Sequence, residues 1–277
     1  MKARLSPGIV LILFLLTLFV VAAVLAPWVS PHDPLRQSLL LRLRPPGTVA
    51  AQGDFLLGTD DLGRDLLSRI IYGARASFIV ATLSVSVSLL TGTILGLAAG
   101  WFRGWSATLI MRLVDTMLSI PAILLAVLTV AVLGPGFTKL ILVLGLTRWP
   151  RYTRVAYAST LQVAALPYIR AAVMAGAGPA RILLRHVLPN IAGPLMVVAT
   201  SEFGLMILFE AGLSFLGLGI QPPAPSWGSI MSAGRDYVAR AWWMTVFPGI
   251  GLFLVVLCVN LMGDWLRDRL DPRSVGR

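Results

Sequence analysis

Residues 162–190 read QVAALPYIRAAVMAGAGPARILLRHVLPN, and the organisation of the chain turns on them. The stretch lies between two long apolar segments. It carries Arg170, Arg181 and Arg185 and no acidic residue. Its first part is rich in good helix formers, which predicts a short helix over 164–174. Gly176 and Gly178 break that helix, and Pro179 suits the first position of a second one over 180–187. Pro189 and Asn190 are expected to stop the second helix just before the next apolar run. A basic helix-break-helix between apolar segments is a compact knob. It either fills a partner's groove or fixes topology through its charge.

The rest of the chain agrees with a membrane setting. Of its 277 residues 57% are hydrophobic and 13% charged, and the mean hydropathy is +0.84. A soluble domain is nearer a quarter charged. Several apolar runs approach the roughly 20 residues that cross about 30 Å of hydrocarbon. The fold class is therefore all-α and polytopic. The formal charge of +11 does not point to nucleic acid, because the basic residues flank apolar runs and form no single stripe. Cys258, the single cysteine, lies in the last apolar run and reads as a packing residue. The first run follows Lys2 and Arg4 and exceeds a usual signal-peptide core, so it reads as an uncleaved span.

Six transmembrane helices are expected, over 9–28, 77–101, 107–133, 137–157, 191–218 and 243–261. Gly92, Gly96 and Gly100 recur at four-residue steps, a pattern that lets helices approach closely. Pro121 should kink the third span. Before the second span, Leu62, Leu66, Ile70 and Ile71 predict a separate short amphipathic helix beginning at Asp61. A Pro-rich loop, Gln221-Pro-Pro-Ala-Pro-Ser-Trp-Gly, leads to a short helix expected over 229–240. The domains read as an N-terminal transmembrane helix at 1–30, an external loop with the amphipathic helix at 31–74, a transmembrane domain at 75–264 and a tail at 265–277. Six spans put both termini on one side. A cytoplasmic N-terminus leaves most of the 23 Lys and Arg residues inside, including those of 162–190 and the tail.

No enzyme chemistry is visible. There is no GxxxxGK[ST] loop, and Lys2 and Lys139 are the only lysines. HExxH and Cys/His clusters are absent, and His32 and His186 lie in separate loops, so no metal site is expected. The serines lack a His/Asp setting for hydrolysis. The notable residues are charges inside apolar runs. Arg148 either faces a cavity or partner, where it could attract a solute carboxylate, or snorkels to the interface. Glu202 and Glu210, eight residues apart, share nearly one helix face. They pair with Arg112, Arg148 or a partner's residue, line a pathway, or relay protons. Asp115 is expected to pair with Arg112 one turn away. Trp242 and Trp243 read as interfacial anchors, and Trp227 as part of a rigid outer lip.

Three blocks in order resemble the dipeptide/oligopeptide/nickel family of ABC-transporter permeases, C-type subunit. The first is Leu57-Gly58-Thr59-Asp60 through Leu62-Gly63-Arg64-Asp65, with Tyr72-Gly73-Ala74-Arg75. The second is Leu213-Ser214-Phe215-Leu216-Gly217-Leu218-Gly219 with Gln221-Pro222-Pro223 and Pro225-Ser226-Trp227-Gly228. The third runs from Asn260-Leu261-Met262-Gly263-Asp264-Trp265 to Leu270-Asp271-Pro272. The end of the knob, Arg185-His186-Val187-Leu188-Pro189-Asn190, resembles the coupling loop on which such a permease seats its ATPase.

The resemblance implies an ABC importer type I permease fold and a machine that takes up short peptides by alternating access. It also implies a second homologous permease, two ATPase subunits that hold ATP and Mg, and an extracytoplasmic solute-binding protein. This chain itself would bind no cofactor and no nucleic acid. It would sit among the lipids of the bacterial cytoplasmic membrane with both termini cytoplasmic. The coupling residues carried over are Arg170, Ala171, Ala172, Gly176, Arg181, Arg185, His186, Pro189 and Asn190. The family's motif opens Glu-Ala-Ala where this chain has Arg170-Ala171-Ala172, a charge reversal at one docking position. Arg148, Glu202 and Glu210 are candidate pathway residues, and Trp227 a candidate contact for the binding protein. Nickel or a glutathione-like peptide are alternative solutes. A proton-coupled secondary transporter using Glu202 and Glu210, and a membrane scaffold without flux, are readings of a different class.

Overall fold

A computed structural model describes residues 7–270, for Leu270 the backbone alone. Its helices are α1 (Pro7–Val24), α2 (Ala26–Val29), α3 (Leu66–Phe102), α4 (Gly104–Ser119), α5 (Ala122–Leu133), α6 (Phe137–Ala164), α7 (Pro167–Met174), α8 (Pro179–Ile182), α9 (Leu188–Phe215), α10 (Trp227–Gly234) and α11 (Trp243–Leu270). Two short strands, β1 (Thr48–Ala50) and β2 (Gly53–Phe55), pair antiparallel with Thr48 opposite Phe55. The chain is a polytopic helical membrane protein. By length and apolarity four helices can cross a bilayer, or five when α4 and α5 count as one bent span. The chain forms two compact units. The first takes residues up to Thr82, Val127–Ile141 and Phe203–Met262; the second takes Leu83–Ala126, Leu142–Glu202 and the chain from Gly263.

The first unit is organised by the Thr59–Asp65 segment. Asp60, 2% exposed, accepts the backbone N–H groups of Leu62 and Arg64 through Oδ1, each at 2.9 Å. Its Oδ2 receives Arg64 Nε at 2.6 Å and lies 3.2 Å from Arg69 Nε. One buried carboxylate thus bridges two buried guanidiniums, and Asp61 Oδ1 lies 3.6 Å from Arg64 Nη2. Beside it, Asp61 is raised above the usual carboxylate range by burial and by Asp60. Gly63 has φ +72°, and an added Cβ would lie 1.8 Å from the Ser38 carbonyl oxygen, so only glycine fits this turn. Asp65 caps α3, accepting the Ser68 backbone N–H at 2.8 Å and the Ser68 hydroxyl at 2.6 Å.

That cap changes the expected layout. The separate amphipathic helix does not exist. Once started at Leu66, α3 meets no breaker and runs 37 residues to Phe102. Gly73 leaves it intact and instead makes room for Trp227, whose Cδ1 would lie 3.1 Å from an added Cβ. The helix expected over 229–240 starts earlier, because Ser226 caps it in a reciprocal box with Ser229, and it ends as a 3₁₀ turn at Arg235–Tyr237. Leu66, Ile230, Ala241, Trp243 and Met244 form a buried apolar cluster in this unit. Trp243 Nε1 donates to the Thr59 carbonyl at 3.0 Å, so this tryptophan is a core residue and not an interfacial anchor. Trp242 is half exposed.

In the second unit the glycine steps find their partner. A Cβ on Gly92 would lie 2.5 Å from Tyr152 Cβ, on Gly96 2.4 Å from Ala156 Cβ, and on Gly100 2.6 Å from Thr160 Cβ. Earlier on the same seam, the Ser88 hydroxyl donates to the Gly145 carbonyl at 2.7 Å. Residue numbers rise together along both helices, so α3 and α6 run parallel. A parallel pair requires the intervening chain to return, and α4 and α5 supply that return. They meet at a bend of 89°, sharper than the expected kink. Ile120, forced from helical geometry by Pro121, takes φ −93° and ψ 128°.

Overpacking the seam should unfold it. Gly96→Val drives a side chain against the Thr153 carbonyl, 2.7 Å from the added Cβ, which is backbone and cannot yield. We expect a loss of about 1–3 kcal/mol or more, read as a lowered Tm of the detergent-solubilised protein. Gly212→Ala, whose Cβ meets nothing within 4 Å, should leave Tm unchanged or slightly raised. Asp60→Ala removes the carboxylate that Arg64 and Arg69 share and should cost about 3–5 kcal/mol in the same measurement.

Candidate functional site

The basic knob is assembled by two proline starts and one glycine stop. Pro167 and Pro179 stand in the first turns of α7 and α8, where a missing N–H costs nothing. α7 ends in a double closure around Gly176. The N–H of Ala177 reaches the Ala172 carbonyl at 3.0 Å and that of Gly176 the Val173 carbonyl at 2.9 Å. Gly176 itself has φ +81°, which a side chain resists. Ile169, Ile182 and Val187 are buried and anchor the knob. Its outer face is apolar with a cationic rim: Met174 is 89% exposed and Leu184 65%, and Val173, Arg170, Arg181 and Arg185 are also exposed.

Pro189 and Asn190 do not end the second helix as expected. Leu183–Val187 widens into a π turn, and the helix continues through Pro189 into α9. The wider turn, one turn before the proline, accommodates its missing donor and its ring. Asn190 Nδ2 donates to the His186 carbonyl at 2.6 Å and to the Tyr168 hydroxyl at 3.2 Å. Tyr168 and His186 meet edge to face at 6.3 Å. The two arms of the knob are therefore tied across the glycine break, and the second arm is continuous with a long apolar helix. A push on the knob bears directly on α9.

The same unit buries a charge cluster. Glu202 is 1% exposed and accepts Arg148 Nε at 2.8 Å and Arg148 Nη2 at 2.9 Å, a two-pronged pair. Arg151 Nη1 reaches the same carboxylate at 2.9 Å, with the rest of its side chain exposed. Asp115 pairs with Arg154 and not with Arg112, because the α4 carboxylate reaches across to α6. Both groups of that pair are more than half exposed, so it adds little stability.

Glu210 lies in the first unit and makes no ion pair among the described residues. It is fully buried and takes hydrogen bonds from the Ser77 and Ser214 hydroxyls. Glu202 and Glu210 thus have separate partner sets despite their helical spacing. Trp227, expected on an outer lip, is fully buried, and its Nε1 donates to the Ile70 carbonyl at 3.0 Å. Its ring offers no surface to a partner, because Gly73 opens a slot that the indole fills. Reasoning from sequence missed Arg151 and Tyr152 as site residues. The signal for Arg151 was present: Arg148, Arg151 and Arg154 repeat every three residues, and the next long helix carries the acidic residues Glu202 and Glu210. Among the described residues no group of His, Cys, Asp and Glu could hold a metal ion.

Known proteins resemble this chain. Residues 92–275 match the family described as binding-protein-dependent transport system inner membrane component, and residues 4–46 the N-terminal transmembrane domain of oligopeptide transport permease C. A di/tripeptide transport system permease protein of Pseudomonas aeruginosa (strain UCBPP-PA14) is 48% identical over 263 residues, 95% of this chain and 86% of the relative. A dipeptide transport system permease protein of Escherichia coli (strain K12) is 43% identical over 268 residues, 95% of this chain and 87% of the relative. The methionine ABC transporter MetNI, solved in inward-facing conformations, superposes with a TM-score of 0.58 at 18% identity, over 74% of this chain and 97% of that one, a likeness of fold. With a knob, a helix continuous with it and these relatives over nearly its whole length, the chain belongs to the family of binding-protein-dependent transport system inner membrane components.

Proposed function

We propose that this chain is one of two homologous permease subunits of an ATP-driven importer that takes short peptides across the bacterial cytoplasmic membrane. The observation that carries this reading is the knob: an exposed apolar face rimmed by Arg170, Arg181 and Arg185, on a chain without a phosphate-binding loop. Such a surface suits a partner that supplies the energy. ATP and Mg would be held by two ATPase subunits, and a solute-binding protein would deliver the peptide outside. Peptide as the solute rests on what the relatives in Pseudomonas and Escherichia are named for. α6 would be the fourth of six spans, with both termini cytoplasmic. Arg170, Ala171, Ala172, Gly176, Arg181, Arg185, His186, Pro189 and Asn190 would form the coupling surface. Arg148, Glu202 and Glu210 would stand along the pathway.

The proton-relay reading loses ground to the geometry, since Glu202 is neutralised by two guanidiniums and Glu210 is held by hydroxyls. Proteoliposomes separate the two classes. Uptake of labelled dialanine should require ATP, the binding protein and all membrane subunits, and should ignore an imposed pH gradient. Uptake by this chain alone, driven by such a gradient, would overturn the importer reading.

Two variants probe its parts. Gly176→Asp forces a side chain into a φ of +81° and sets a negative charge in the cationic rim. It should abolish ATPase co-purification while leaving the chain in the membrane. Glu202→Gln leaves Arg148 and Arg151 buried or half-buried without their counter-ion, so it should destabilise the protein by about 3 kcal/mol. Arg148→Gln should cost less, because Arg151 still neutralises Glu202. Tm values of the purified transporter check the order.

A further inference from the structure

Glu202 is outnumbered. Both prongs of its carboxylate are taken by Arg148, and Arg151 shares one oxygen through Nη1 alone. That is the one hydrogen bond Arg151 makes among the described residues, and 58% of its side chain is exposed. Arg151 thus shares an anion that Arg148 already holds with two prongs, and its exposed guanidinium can meet a further one. Next to Arg151 in sequence, Tyr152 is fully buried, and its hydroxyl has no hydrogen-bond partner among the described residues. Tyr152 stands on α6, the helix that carries both arginines of the cluster. A buried hydroxyl without a partner is costly, and an exposed cation beside it points to an anion able to accept from both.

We infer that Arg151, with the Tyr152 hydroxyl, forms a subsite for the carboxylate of the transported solute. This rests on the importer reading above and reassigns the anion from Arg148 to its neighbour. Arg148 is the wrong group for the task because Glu202 already occupies its fork. It is a positioning residue that holds the carboxylate of Glu202 and, through it, one edge of Arg151. Arg151 keeps its other nitrogens for a second carboxylate, and a guanidinium presents them in the planar geometry such a group accepts. The shared guanidinium also keeps the subsite weak: Glu202 repels the incoming anion there, so the solute is held and released.

The test uses the complete transporter in proteoliposomes with its binding protein. The probes are dialanine and dialanine amide, which lacks the carboxylate. Each variant's kcat/KM is divided by the wild-type value for the same probe, so the binding protein's own preference cancels. Arg151→Gln should lower the dialanine ratio about tenfold or more and leave the amide ratio near one. Arg151→Lys should recover part of the loss, and Tyr152→Phe should show a smaller loss confined to dialanine. Equal losses for both probes, or no loss, would overturn the subsite; equal losses with weakened subunit association would mean that Arg151 serves an acidic residue of the second permease. Absence of ATP-dependent uptake of either probe by wild type would instead refute the importer reading, which keeps the two failures apart.

Discussion

Where Gly92, Gly96 and Gly100 run along α6, their missing side chains bring the α3 backbone against Tyr152, Ala156 and Thr160 at their Cβ atoms, over about two turns. In a bilayer, apolar side chains gain nothing by leaving lipid for protein, so close packing of this kind has to hold helices together. The contact fixes the rest of the second unit. It makes α3 and α6 parallel, which obliges α4 and α5 to return the chain. It sets the face of α6 that carries Arg148 and Arg151 towards Glu202.

Charge is distributed by the same economy. A carboxylate in an apolar helix must be paired or hydrogen-bonded, and the two in α9 satisfy this differently. Glu202 collects guanidiniums, which neutralise it. Glu210 collects serine hydroxyls and tethers α3 to α9 in the first unit. In the segment before α3, Asp60 bridges Arg64 and Arg69 much as Glu202 bridges its arginines, with a turn that only Gly63 permits. The block Leu57–Asp65, legible as a family motif, is thus a folding knot.

Much of this was legible in the chain, and what was not has local causes. The four-residue glycine steps announced a close helix contact but not its partner, because periodicity describes one surface and not the one opposite. Gly176 announced the break in the knob, since a left-handed stop favours glycine. Pro189 misled, because a proline's missing hydrogen bond can be absorbed by a π turn that leaves no sequence signature. The amphipathic pattern around Leu66 was correct, yet the Asp65 cap made it the first turns of a longer helix. Trp227 looked exposed because prolines surround it, and its burial depends on a slot at Gly73, far away in sequence. Asp115 sits one turn from Arg112, yet pairs with Arg154 across a helix contact that only the fold creates.

The most direct measurement is site-specific cross-linking from the knob in the membrane. A cysteine replacing exposed Met174, with a short bifunctional reagent, should join this chain to a polypeptide that carries a nucleotide-binding loop. The product should fade when Gly176→Asp is added. A cysteine at Leu40, 85% exposed in the segment before α3, should give no such product. If Met174 cross-links to no ATPase, or Leu40 gives the same product, the knob is not the coupling surface and the account fails at its centre.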